Sequence, residues 1–183
     1  ANNVTNISWE NTCSSSDYSI SQVRKWLNNE FLPKLQNHNE IVVSASWDYT
    51  SDDTADDTKP SRTNYVDDKV GMLTSYEYGK TGGGNGFLNV RYIWWTMTPY
   101  GGNSNVWQIG GDGGQYSNVT CDPRGIRPSI VVSPTISLND GTGTKADPYI
   151  INGDKEVANK NELLNTRISG EYINFNNVKY RIM

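Results

Sequence analysis

Tyr92-Ile-Trp-Trp-Thr-Met-Thr-Pro99 is the most aromatic stretch of the chain and reads as a central strand. Asn105-Val-Trp-Gln-Ile-Gly110 alternates and reads as the next strand, followed by a turn at Gly110-Gly-Asp-Gly-Gly114. Upstream, Val70-Gly-Met-Leu-Thr-Ser-Tyr-Glu-Tyr78 reads as a buried strand running into a short turn, and residues 41–47 as another strand. Ile7-Ser-Trp9 is a short strand. Gly125 to Val132 is a further one, with Pro128 inside it, which points to an edge or a bulge.

One segment stands apart. From Ser19 to Leu32 the apolar residues Ile20, Val23, Trp26, Leu27 and Phe31 fall at helical spacing. Ser19 or Ser21 serves as N-cap, and Pro33 stops the helix. The tail has its own pattern: a turn-rich linker at 140–144, a short strand at 147–151, and a weak helix within 152–165. Gly170 to Ile182 then alternates on both sides of Asn176-Asn177, a two-residue hairpin signal.

The chain has 183 residues, a length that fits one domain or one domain plus an appendage. Its net charge of -4 makes it a poor nucleic-acid binder, because phosphate contacts need a basic face. No apolar run approaches the roughly 20 residues that span a bilayer. Ala1 in place of Met suggests a processed or trimmed start. Only 35% of residues are hydrophobic, so six Trp and eleven Tyr must carry much of the core. With 22 Asn and many Gly, the composition is that of a secreted surface β-protein.

Cys13 and Cys121 are the two cysteines. An even count in a chain of secreted character favours a disulfide, the alternative being two buried thiols. The loop from Asp48 to Asp68 is rich in Asp, and Asp52, Asp53, Asp56 and Asp57 are candidate calcium ligands. The spacing of an EF-hand is absent, so a solvated loop is the competing reading. No other metal or cofactor is expected. Catalysis finds little support: the single His38 sits in a polar turn, and no G-x-S-x-G element occurs. Binding has more: Tyr100, Trp107 and Tyr116 stand near loop ends, where aromatic faces stack on sugars or anchor a protein. Arg127 is either a buried, carboxylate-paired arginine or a ligand clamp.

Four segments carry a resemblance. Ser21-Gln-Val-Arg-Lys-Trp-Leu-Asn28 with Phe31, Val70 to Ser75, Trp94 to Pro99 followed by Val106-Trp107, and Gly125-Ile-Arg-Pro128 occur in that order. This is similar to an uncharacterised family of bacterial surface domains, common in Gram-positive bacteria. The resemblance covers about residues 9–151. It implies an α+β, C-type-lectin-like fold, related to formylglycine-generating enzymes, with twisted antiparallel sheets, one main helix over about 19–32 and long polar loops. The family's usual opening hairpin is found here at the far end, as Gly170 to Ile182. The expected organisation is therefore a core over 1–151 and, over 152–183, a weak helix plus a terminal hairpin. That hairpin is permuted, cut from a tandem array, or exchanged with a neighbour, with Tyr172, Phe175, Val178, Tyr180 and Ile182 as assembly residues.

The functional expectation is a non-catalytic extracellular, cell-surface domain: an adhesin or a pilus-like fibre subunit. Its partners would be itself, or a glycan or protein of a host or surface, with no nucleic acid and no membrane span in this chain. The alternatives are a carbohydrate-binding module with an exposed aromatic platform near Tyr100 and Trp107 and, less favoured, an enzyme of the formylglycine-generating type.

Overall fold

The computed structural model describes residues 5–35, 38–52, 61–101, 104–151, 162–163, 172–175 and 178–182. The strands are β1 (Asn6–Ser8), β2 (Val42–Val43), β3 (Ala45–Asp48), β4 (Tyr65–Asp68), β5 (Val70–Gly71), β6 (Trp94–Tyr100), β7 (Asn105–Ile109) and β8 (Gln115–Val119). They continue as β9 (Pro123–Gly125), β10 (Ser129–Val132), β11 (Ser137–Asp140), β12 (Tyr149–Ile151), β13 (Glu162–Leu163), β14 (Tyr172–Phe175) and β15 (Val178–Arg181). The α-helices are α1 (Gln22–Trp26), α2 (His38–Ile41) and α3 (Ser75–Lys80). The chain divides into two compact units: residues 1–32 with 44–130, and residues 33–43 with 131–183.

The first unit is organised by β6. It lies at the centre of a five-stranded sheet ordered β1-β9-β6-β7-β8, and Trp94 to Pro99 are all buried. Successive side chains of a strand face opposite ways, so the adjacent tryptophans serve different cores. Trp95 packs with Trp9, Tyr18, Leu27 and Met72, whereas Trp94 packs with Tyr78, Leu88 and Ile109. A strand covered on both faces reads as a continuous apolar run, which is why the segment shows no alternation. Between Trp95 and Pro99 the register with β7 shifts. In that bulge Thr96 Oγ1 donates to Trp107 O at 2.8 Å, and the Met97 amide turns away to Leu73 O at 2.9 Å. The bulge also admits Pro99, which has no amide to donate to a regular ladder.

The motif residues of the helical segment act as ties. Ser21 caps α1 by accepting from the Arg24 amide at 3.0 Å. Arg24 forks onto Asp68 of β4, with Nε to Oδ2 at 2.7 Å and Nη2 to Oδ1 at 3.1 Å. This pairing holds the guanidinium charged above its ordinary range. Asn28 reads both backbone groups of Val70: its Nδ2 donates to the carbonyl at 3.0 Å and its Oδ1 accepts the amide at 3.2 Å. Leu27 fills the core beneath. Against β5, Gly71 lies so close to the Trp47 indole that a Cβ there would overlap the ring.

The C-type-lectin-like architecture is not what the chain shows. The described strands fall into four sheets, of five, three, five and two strands, and most strands are short. Nor is there one main helix over 19–32. A 3-10 turn at Tyr18–Ile20 leads into α1, which widens to a π-turn at Leu27–Phe31 and ends as a 3-10 turn at Leu32–Lys34. Pro33 lacks an amide and crowds the carbonyl four residues back, so the α ladder cannot run to the end. Two smaller corrections accompany this. Ser75–Lys80 is a helix, opened by a capping box between Thr74 and Glu77, and not the continuation of a strand. Residues 126–128 separate β9 from β10, so Gly125 to Val132 is two strands.

The second unit holds the sheet β13-β11-β12-β14-β15. Leu138, Tyr149, Ile151, Ile173 and Phe175 are buried in it. The terminal hairpin forms with Phe175 opposite Val178, so two residues connect its strands as the pattern predicts. Its first strand, β14, runs parallel to β12 of the same chain. Of the weak helix expected within 152–165, Glu162–Leu163 stands as strand β13 and the rest lies outside the described residues. The units part at 130/131, so residues 131–151 go with the hairpin and not with the larger body.

Candidate functional site

A densely hydrogen-bonded loop of the first unit surrounds the cysteines. Cys13 and Cys121 are bonded, with Cα atoms 4.8 Å apart and 108 positions between them in sequence. Ser8 Oγ donates to Cys121 O at 2.9 Å, and the Glu10 amide to Thr120 O at 3.2 Å. Cys13 itself takes φ +54°, a left-handed backbone that costs a non-glycine residue about 1–3 kcal/mol and persists only where its surroundings impose it. Glu10 supplies that imposition. Its carboxylate accepts from Thr12 Oγ1 at 2.5 Å, from the amides of Thr12 (3.1 Å), Ser14 and Ser15 (3.3 Å), and from Thr120 Oγ1 at 3.1 Å.

Those donors, the Thr12 hydroxyl first, favour the ionised carboxylate and lower its pKa from the usual 4.5 to about 2. A depressed carboxylate stabilises the folded chain above its ordinary pKa and loses that contribution as pH falls towards the folded value. Stability is therefore expected to decline between about pH 4.5 and 2, and the decline is expected to be shallower in Glu10→Gln. Melting temperature against pH for both proteins checks this, and parallel curves would contradict it.

The Glu10-braced loop is one wall of a cavity of about 470 Å³, formed by Cys13 through Asp17. The other walls are Tyr49, Ser51, Asn64, Pro99 and Ser104. Each wall is fixed from behind. Asp17 caps the following turn by accepting from the Ser19 amide at 2.8 Å. Thr50 Oγ1 receives the amides of Thr63 (2.9 Å) and Asn64 (3.1 Å), and the Tyr49 amide donates to Asn64 O at 3.0 Å. The Tyr49 ring rests against buried Tyr18, centroids 6.0 Å apart. Across the cavity, the Asp52 amide donates to Pro99 O at 3.0 Å, and Trp107 Nε1 donates to Asp52 O at 2.8 Å.

The expected binding residues do not converge. Trp107 is only 7% exposed, and Tyr100 meets it edge-on at 5.1 Å, so the pair offers no open aromatic platform. Tyr116 is 48% exposed on β8, its hydroxyl donating to Asp112 Oδ2 at 2.7 Å. Arg127 lies elsewhere, its guanidinium 4.6 Å from the Trp94 ring centre and donating to Leu88 O at 2.6 Å. Burial lowers its pKa, and its described partners are that carbonyl and that ring, with no carboxylate among the described residues.

Among the described residues no group of three or more His, Cys, Asp or Glu is placed to hold a metal. Asp52 is described and buried, while Asp53, Asp56 and Asp57 lie outside the described residues. His38 lies in α2 with Nδ1 2.9 Å from Leu35 O. On the hairpin, Val178 is 49% exposed, Phe175 is buried, and its ring meets that of Tyr180 at 6.4 Å. Burial pushes the Tyr180 hydroxyl up to about 12. Tyr172 and Ile182 are half-buried.

Glu10 stands out in the sequence only as one of four carboxylates that could meet in space and Tyr49 only as one of several loop-end aromatics, while Asn64 is passed over. A signal for the first was present, since Glu10 is followed by Thr12, Cys13 and three serines, a run of donors within reach of one carboxylate. No helix among the described residues is long and apolar enough to cross a membrane. No curated protein and no solved structure matches the chain. A family profile described as a domain of unknown function, DUF6273, matches residues 2–134, which takes in the cysteine loop, the α1 ties, β6 and the Gly125-Ile-Arg-Pro128 element. That is well over half of the sequence, and the chain belongs to the DUF6273 family.

Proposed function

We propose that this chain is a non-catalytic extracellular, cell-surface domain that works by binding, as an adhesin or as a subunit of a fibre-like assembly. The observation that carries this is the Cys13–Cys121 bond. Disulfides persist in oxidising compartments, and this one takes up both sulfurs, so no thiol is left for chemistry of the formylglycine-generating kind. The cross-link also builds a wall of the cavity, where a binding domain needs rigidity.

The hairpin supports the assembly part. Its strands pair at four positions with each other, whereas β14 joins β12 at two, Tyr149 with Ile173 and Ile150 with Asn174. A hairpin that is mostly self-paired can leave its own sheet for a neighbour's without being unmade, which is the requirement for exchange between copies. Light scattering on the full chain and on a chain lacking 170–183 tests this. Higher-order species that vanish on deletion are expected; a folded monomer before and after would remove the hairpin as an assembly element.

A further inference from the structure

The cavity beside the cysteine loop is open to solvent and has the dimensions of a ligand site. Its volume of about 470 Å³ lies within the roughly 300–1,000 Å³ typical of small-molecule sites. Serine hydroxyls dominate the lining, with one carboxylate (Asp17), one amide (Asn64) and one aromatic ring (Tyr49). The described lining residues include the Asp17 carboxylate and no Lys, Arg or His, a set that disfavours a phosphate, sulfate or carboxylate. Polar surface outweighs apolar surface in the lining, which argues against a lipid or a hydrophobic peptide.

Asp17 already accepts the Ser19 amide, and the serine-rich remainder of the lining suits a neutral ligand covered in groups that both donate and accept. Hydroxyls match hydroxyls in this sense, because each offers one proton and two lone pairs. An aromatic ring on one side suits the C–H face of a pyranose. We propose that this cavity binds a neutral saccharide, held between the Cys13–Asp17 wall, the Tyr49 ring and the Asn64 amide. The proposal rests on the binding-domain reading above and gives it a ligand class. It places recognition away from Tyr100 and Trp107, whose rings pack edge-on against each other.

The walls are braced before any ligand arrives. Glu10 and the disulfide hold one side, and the Trp107–Asp52–Pro99 chain of hydrogen bonds holds the other. A preformed site avoids the ordering cost that would otherwise weaken a small polar ligand's affinity.

The test uses the full chain on an array of neutral galactose-, glucose-, mannose- and N-acetylhexosamine-terminated oligosaccharides, with sialylated and sulfated ones alongside. A chelator is included, so that binding is read without calcium. Ser104→Trp fills the cavity, Asn64→Ala removes the amide, and Tyr116→Ala is a surface control outside it. Binding to neutral glycans is expected, weakened roughly tenfold or more by Ser104→Trp and measurably by Asn64→Ala, and unchanged by Tyr116→Ala. Melting curves accompany each variant, and if Ser104→Trp fails to fold, Asn64→Ala decides. Neutral-glycan binding that both variants leave intact overturns the cavity while the binding-domain reading stands. No neutral-glycan binding, or a preference for acidic glycans, overturns the saccharide proposal, and the light-scattering result then judges the assembly reading by itself.

Discussion

Replacing Cys13 and Cys121 together with serine is expected to lower the stability of the folded chain by about 4–5 kcal/mol. The figure follows from closing a loop of 108 positions, which removes chain entropy from the unfolded state in proportion to the logarithm of its length. For a chain of this size it corresponds to a fall in melting temperature of roughly 10–20 °C. Urea denaturation separates this origin from a simple loss of contacts. Without the cross-link the unfolded chain expands, so the m-value should rise as the midpoint falls. The β1–β9 pairing, Asn6 with Gly125 to Ser8 with Pro123, still joins the same two segments. The variant should therefore fold, with Cys13–Asp17 as its least ordered part. A midpoint unchanged from wild type would contradict the assignment of the bond.

Trp95→Ala is the second large effect, about 3–5 kcal/mol, the usual range for deleting a buried tryptophan. Trp95 is fully buried, and its indole meets Trp9 edge-on at 6.0 Å. Its Nε1 donates to Ile7 O at 3.0 Å, so one side chain both fills the core and fastens β1 to the central strand. Trp95→Phe divides the two roles: most of the packing stays, but the Ile7 carbonyl loses its donor, at a cost of about 1–3 kcal/mol. Tyr116→Ala on the exposed face of β8 should stay within about 0.5 kcal/mol of wild type. Chemical denaturation of the three variants gives the order, and a Trp95→Ala no less stable than Tyr116→Ala would refute the placement of β6 at the centre.

These two sites also mark what was legible in the sequence. Strands whose signal is local came through: the aromatic β6, alternating β7, and the paired strands β14 and β15 of the hairpin. The helix at 19–32 did not, because spacing reports a face and not a ladder, and Pro33 breaks the ladder while leaving the apolar face intact. The Thr74–Glu77 capping box was present as a sequence signal for α3, but the apolar run of Val70 to Leu73 outweighed it. Long-range ties were out of reach. Arg24 and Asp68 are 44 positions apart, and nothing in either neighbourhood names the other.

The expected C-type-lectin-like fold was overturned for a related reason. The motif residues Ser21, Arg24, Leu27 and Asn28 specify local ties between α1 and the strands β4 and β5, and the same ties can be used in more than one topology. The cavity was the least legible feature. Its walls come from 13–17, 49, 51, 64, 99 and 104, and apart from Pro99 at the end of β6 each is an ordinary loop position. Aromatic residues drew attention to Trp107 instead, whose indole is turned inward to hold Asp52.

Both the extracellular, non-catalytic reading and the braced cavity require that the two sulfurs be joined. Alkylating the denatured, unreduced protein and measuring its intact mass reads this directly. The expected result is a chain with neither Cys13 nor Cys121 modified until a reductant is added, after which both react. Two alkylated cysteines before reduction would contradict the disulfide, and with it the wall that shapes the proposed saccharide site.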